Sequence, residues 1–197
     1  MVDHNGNFVA RRAEIYEAAA QLFHERGFDG TSVHDIAERV GLLKGSLYHY
    51  FGSKEQLLFD LLHEDHETSL ADLLTSAAEA AEDPEAQLRA AVVSAAMSAA
   101  VRPWRPATFV HEHRYLVQDH ARAIMQIRRA YERCFVDILK DGKRKGVFRR
   151  DMDPELVAIA ALSLVNAIAT WYQPGRKWSA QFLAESYADL VHASVRA

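Results

Sequence analysis

The stretch that most constrains this chain is Thr31–Lys54, TSVHDIAERVGLLKGSLYHYFGSK. It predicts two short helices, a tight glycine turn between them, and the capped start of a third. Ser32 caps the first helix, and Asp35, three residues on, reaches back to complete a capping box. Val33, Ile36, Ala37 and Val40 recur at helical spacing on one face. Gly41 ends that helix, because glycine tolerates the left-handed conformation a C-cap needs. Leu42 then packs inward. A second helix is expected over about Lys44–Phe51, too short and too polar for a core helix. Lys44, Gly45, Ser46, Tyr48 and His49 crowd its outer face, while Leu47 and Phe51, four apart, face in. Gly52-Ser53 breaks the chain, and Ser53 caps the helix that opens at Lys54-Glu55.

A helix, a sharp turn and a short polar helix make a helix-turn-helix, whose second helix suits the DNA major groove. The residue types fit that use. Gly45 has no side chain, so backbone can approach a phosphate closely. Lys44 supplies charge, and Ser46, Tyr48 and His49 supply hydrogen bonds to phosphates or base edges. Lys54 sits at a helix N-terminus, where backbone N–H groups already favour an anion. With Ser32 and Leu43 at the flanks, these residues form the candidate DNA-binding set. From Arg39 to Lys54 there are three Lys/Arg and no Asp/Glu. The competing reading is a solvated loop and helix of mixed polarity, for which an exposed Tyr beside Lys and Gly is an odd choice.

The run KGSLYHYFGSKEQLL resembles the signature of the TetR family of bacterial one-component transcriptional regulators. RRAEIYEAAAQLFHERGFDG, residues 11–30, resembles that family's first helix, and TSVHDIAERVG its second. The resemblance covers about the first third of the chain. It implies an all-α, homodimeric protein of about nine helices. A helix-turn-helix DNA-binding domain over 1–56 would be joined to an effector-binding and dimerisation domain over 57–197. It also implies a palindromic operator in double-stranded DNA, and a ligand that changes the spacing of the two DNA-binding domains. Repression is the family's commoner outcome.

The bounds agree. Among 197 residues, 49% are hydrophobic and 25% charged, ordinary for a globular protein. The formal charge of −4 gives no global basic footprint, and residues 1–56 hold six Lys/Arg against eight Asp/Glu. Strong non-specific nucleic-acid binding is therefore not expected, while the local basic stretch leaves room for specific binding. A single cysteine forms no intramolecular disulfide, which fits a reducing, cytoplasmic location. No signal peptide and no apolar run of membrane-spanning length is read from the sequence.

Elsewhere a first helix is expected over Phe8–Arg26, with Ile15, Ala18, Ala19, Leu22 and Phe23 as its apolar stripe. Arg11 and Arg12 are either DNA-backbone contacts or solvated charges. The helix opening at Lys54 keeps a leucine rhythm to about Ala81, and so links the two domains mechanically. An Ala- and Ser-rich helix over Glu85–Val101 is expected to pack closely rather than to leave ligand space. Further helices are expected near Ala107–Val117, over Ala121–Lys145 with Gly142 and Gly146 fraying its end, from Pro154 to Trp171, and over Ser179–Val195. The Pro154 helix is apolar almost all round, so one face should meet the core and the other a partner subunit. The segment TWYQPGRKWS resembles a feature of a TetR branch controlling fatty-acid and sterol-ring catabolism. Effectors in that branch are typically acyl-coenzyme A thioesters. The plainer reading is a structural turn packed by Trp171, Tyr172 and Trp178.

Candidate effector-binding residues, chosen by type, are Met97, Trp104, Phe109, His113, Tyr131, Phe135 and Trp171, with Arg128 for a carboxylate or thioester neighbourhood. His111, Glu112, His113 and His120 lack the i, i+4 spacing of a helical metal pair, and no cofactor motif is read. The cluster Lys143, Arg144, Lys145, Arg149 and Arg150 is either a coenzyme A phosphate site or a solvated helix end. Cys134 reads as a buried residue rather than a redox sensor. Two rival classes are a thioester-processing enzyme and a helical dimeric adaptor without sequence-specific DNA binding. No nucleophile with a positioned base is present in the pattern to support the first.

Overall fold

The computed structural model describes residues 4–80, 82–101 and 115–196. Among the described residues there are eight α-helices and no strand: α1 His4–Arg26, α2 Val33–Arg39, α3 Lys44–Leu47, α4 Lys54–Glu79, α5 Pro84–Val101, α6 Gln118–Lys145, α7 Pro154–Trp171 and α8 Ala180–Val195. Most of the helix expected near 107–117 lies outside the described residues, as do Trp104, Phe109, His111, Glu112 and His113. α1 starts at His4 rather than Phe8, and α6 at Gln118 rather than Ala121.

Two apolar cores organise the helices. The first gathers Ile15, Leu22 and Phe23 of α1, Ile36 of α2, Leu47 of α3 and Leu57, Leu58 and Leu62 of α4. It also takes in Ile124, from the first turns of α6. The second runs from Leu73 and Ala77 of α4 through α5, α6, α7 and α8. One continuous helix thus serves both cores, and the division expected at 56/57 falls just before Leu57, the first α4 leucine of the first core.

The alanines of α5 do two things. Ala91, Ala95, Ala96, Ala99 and Ala100 are buried, and α5 packs along α8. Arg89 of α5 reaches Glu185 and Asp189 of α8, fastening the pair at the surface. Gly142 does not fray α6, contrary to expectation. It is buried, and a Cβ built there would lie inside the ring of Phe148, itself fully buried. The glycine lets the chain fold back at Gly146 and seat that ring. Arg149 N then donates to Val195 O at 2.9 Å, and Phe148 pairs with Arg196 in an isolated bridge, tying the end of α6 to the end of α8.

α7 corrects the expectation about apolar runs. By length and composition it is long and apolar enough to cross a membrane, with a mean hydropathy of 1.5. Packing covers one face: Ala158, Ala161, Val165, Ile168 and Ala169 are buried. Leu156, Ile159, Leu164 and Trp171 lie exposed on the other side, and Phe182 and Leu190 of α8 are exposed as well. Trp171 and Trp178 pack edge to face at 6.3 Å on the surface, while Tyr172 is buried, so the Trp171–Trp178 segment closes as a packed turn.

Candidate functional site

Local chemistry builds the helix-turn-helix as the spacing predicts. The Ser32 side chain accepts from Asp35 N, and the Asp35 carboxylate accepts from Ser32 N at 2.7 Å. The Ser32 hydroxyl also donates to that carboxylate, and this bond, then the one from Ser32 N, holds the Asp35 carboxyl below its ordinary value. Gly41 has φ +65°, which only glycine adopts without strain. Leu42 N then donates to Ala37 O at 2.9 Å, closing the turn that aims α3.

α3 is shorter than expected. Regular helix covers Lys44–Leu47, and the chain tightens through Tyr50 by bonds from His49 N to Ser46 O and from Tyr50 N to Leu47 O. Leu47 and Phe51 are buried as the spacing requires. Leu43, Lys44, Gly45, Tyr48 and His49 are exposed, and Ser46 is half-buried. They make one continuous outer face carrying one cation, hydroxyls, an imidazole and a bare backbone. Tyr50 stacks on Phe8 of α1 at 4.9 Å.

Three cations near the helix-turn-helix make contacts within the fold. Lys54 points into the fold: its Nζ donates to Phe28 O at 2.9 Å and Thr31 O at 3.0 Å, and lies 4.0 Å over the Phe28 ring. It fastens the loop between α1 and α2 to the start of α4. Arg11 donates to Val40 O at 2.6 Å, holding the C-cap of α2 from α1. Arg12 lies 4.0 Å over Tyr16 and pairs with Glu64 of α4 at 3.6 Å. Tyr16 donates to Asp60 at 2.6 Å, and burial pushes its hydroxyl up to about 12. The arginines thus join α1 to its neighbours.

The second site is a cleft of about 250 Å³, open on one side, lined by α4, α5, α6 and α7. Its apolar wall includes Ala95, Ala99, Ile127 and Val165, and polar and charged groups come from Asp65, His66, Arg128, Tyr131, Glu132 and Asn166, with serines beside them. Of the described residues chosen by type, Arg128 and Tyr131 line it. Phe135 belongs to the core, Met97 packs against that core, and Trp171 is at the far end of α7 on the surface. His66 and Ser69 were missed. They stand four and seven residues after Leu62, on the stripe that also carries Leu73, and polar residues inside an apolar stripe were the available signal.

Burial drives His66 below its ordinary value of 6.5. Its Nδ1 lies 2.7 Å from Leu62 O, and a carbonyl only accepts, so Nδ1 carries the proton and Nε2 the lone pair. Folded His66 resists a proton that the unfolded chain accepts. Stability is therefore whole above about pH 6.5 and falls as pH drops below it, towards the folded value. Urea melts from pH 7 to 5 should show a decline that His66→Gln makes shallower. An equal decline in the variant would remove His66 as its source. Burial also pulls Arg128 down against Glu132, and pushes Tyr131 and Cys134 up, so Cys134 is no ready thiolate.

The basic cluster lies elsewhere. Lys143 donates to Met152 O, Arg144 pairs with Asp141, and Lys145 reaches Glu82 O and Asp141. Sixteen residues of helix separate Arg144 from Arg128, roughly 24 Å. His120 stacks on Phe59 at 3.9 Å, and among the described residues no group of three or more His, Cys, Asp or Glu is placed to hold a metal ion.

A helix-turn-helix carried on a helical body with a cleft among its helices is the architecture of a one-component transcriptional regulator. Residues 15–61 match the family model of bacterial regulatory proteins of the tetR family, and residues 81–195 match that of the tetracyclin repressor-like C-terminal domain. The chain belongs to the TetR family. The transcriptional repressor KstR2 of Mycobacterium tuberculosis is 32% identical over 200 residues, covering 94% of this chain and 93% of its own. The solved structure of the ketosteroid transcriptional regulator KstR2 of that organism has a TM-score of 0.88 at 29% identity, covering 95% of each chain. AibR, solved with isovaleryl coenzyme A and operator DNA, has a TM-score of 0.80 at 26% identity, covering 91% of this chain and 97% of its own. These relatives are regulators, and the enzyme reading is set aside on that ground.

Proposed function

We propose that this protein is a cytoplasmic, homodimeric repressor. It binds a near-palindromic operator through two copies of α3 and releases it when a small apolar effector enters the cavity among α4–α7. We further propose that the effector is an acyl group carried as a coenzyme A thioester. The observation that carries this reading is the double membership of α4. Leu57, Leu58 and Leu62 belong to the core that positions α3, while His66 and Ser69, one to two turns on, line the cavity. An effector that prefers one tilt of α4 would change the separation of the two α3 helices, and only such a preference shifts the equilibrium. The exposed apolar faces of α7 and α8 support dimerisation.

The cavity is small beside a coenzyme A thioester, so the acyl or ring portion would enter and the nucleotide would stay outside. AibR supports this class by its isovaleryl coenzyme A complex. The test is a thermal-melt panel of short-chain, long-chain and sterol-ring thioesters, free coenzyme A and the free acids, run beside operator titrations. A fitting thioester at a hundred times its dissociation constant should raise Tm by roughly 5–10 °C, and should weaken operator binding. A rise with free acids, or none at all, would remove the thioester part and leave the DNA-binding part standing.

A further inference from the structure

Leu43 holds the N-cap position of α3 with extended backbone, φ −74° and ψ 141°, and makes no side-chain capping bond. Ser32, Ser53, Asp153 and Ser179 hold the same position on other helices, and each accepts from an amide of its own helix, whereas Val117 before α6, like Leu43, makes no such bond. Leucine at this position forgoes that bond. It gains nothing from packing either. Its side chain is 80% exposed, the most of any exposed large hydrophobic in the described residues, while Leu42 and Leu47 beside it fill the core. A lone hydrophobe on a surface is ordinary, but one that displaces a cap at the leading tip of a groove-facing helix is not. Two places further on, a Cβ at Gly45 would meet nothing within 4 Å, so the fold does not demand glycine there. The tip of α3 therefore presents an isobutyl group, then Lys44, then bare backbone that a surface can approach closely.

An exposed leucine contributes to affinity only where something apolar covers it. In a helix-turn-helix the first residues of the second helix meet base edges in the major groove. Those edges carry one apolar group, the C5-methyl of thymine. We infer that Leu43 is a specificity-determining residue that reads a thymine methyl in each half-site. The inference rests on α3 being the operator-reading helix, as proposed above.

The test uses the full-length dimer. A binding sequence is first selected from random duplex DNA. Each of its thymines is then replaced, in both half-sites, by deoxyuridine, which removes only the methyl. One thymine position should weaken wild-type binding about fourfold per half-site, or about fifteenfold for the pair, on loss of one buried methyl. Leu43→Ser, which restores a capping hydroxyl, should bind the thymine and uracil duplexes equally. Leu43→Met, which keeps an apolar tip, should still discriminate. Equal discrimination in wild type and Leu43→Ser, or no thymine whose methyl matters, overturns the inference. If no sequence is selected at all, the reading of α3 falls first and takes this inference with it.

Discussion

Tyr48→Ala and Lys44→Ala should each abolish operator binding and leave the protein folded and dimeric. Tyr48 is 48% exposed, with its ring 6.2 Å from that of Phe51 and outside the buried set that holds α3. Lys44 is exposed on the same face. Neither contributes to the first core, so truncation should move Tm little. Their contacts are counted twice in a symmetric dimer. At about 1–3 kcal/mol per half-site contact, losing Tyr48 costs roughly 2–6 kcal/mol, or about 30-fold to 10⁴-fold in affinity. Lys44→Ala should also lower the dependence of affinity on salt, by about one unit of slope per half-site, as a lost phosphate contact does. Gel-shift titrations across a salt series, with sedimentation to confirm the dimer, decide this. Unchanged affinity in both variants would take α3 out of the interface.

Phe148→Ala should produce the largest loss of stability. The ring is fully buried against Gly142, and its segment ties α6 to α8 through Arg149 N and the Arg196 bridge. Emptying such a site costs about 3–5 kcal/mol, a large share of the roughly 5–15 kcal/mol that domains have. Tm should fall by roughly 6–20 °C. Gly142→Ala should also destabilise, because its methyl would occupy the space of the Phe148 ring. The two changes interact directly, so the double variant should lose less than the sum of the singles. Strict additivity in thermal or urea melts would show that the ring does not fill the space at Gly142.

The helix-turn-helix was legible because its determinants are local. Ser32 with Asp35, Gly41, and Ser53 each act within a few residues, through capping bonds and backbone conformation. The end of α3 was overestimated because nothing local distinguishes four helical residues from eight when the last turn merely tightens. Gly142 was misjudged, and the contacts of Arg11 and Lys54 within the fold were not legible, for the opposite reason. Arg11 answers to Val40, 29 residues away, and Lys54 to Phe28 and Thr31, 26 and 23 away. Residue type alone leaves Arg11 open between a DNA contact and a solvated charge, says nothing of the carbonyls that Lys54 reaches, and makes Gly142 look like a frayed end.

The cavity among α4–α7 divides the same way. Arg128 and Tyr131 were found by type, but the lining also needs His66 and Ser69 from α4 and Asn166 from α7. Sequence alone made the helix-turn-helix legible, because caps, glycine stops and apolar periodicity are short-range properties, and the class of all-α regulator followed from the resemblance of its motifs to the TetR family. Tertiary structure alone decided which cations hold the fold, where the cavity opens and that α4 belongs to both cores. Those facts depend on which helices meet, and that is set by how the apolar stripes of distant segments bury one another.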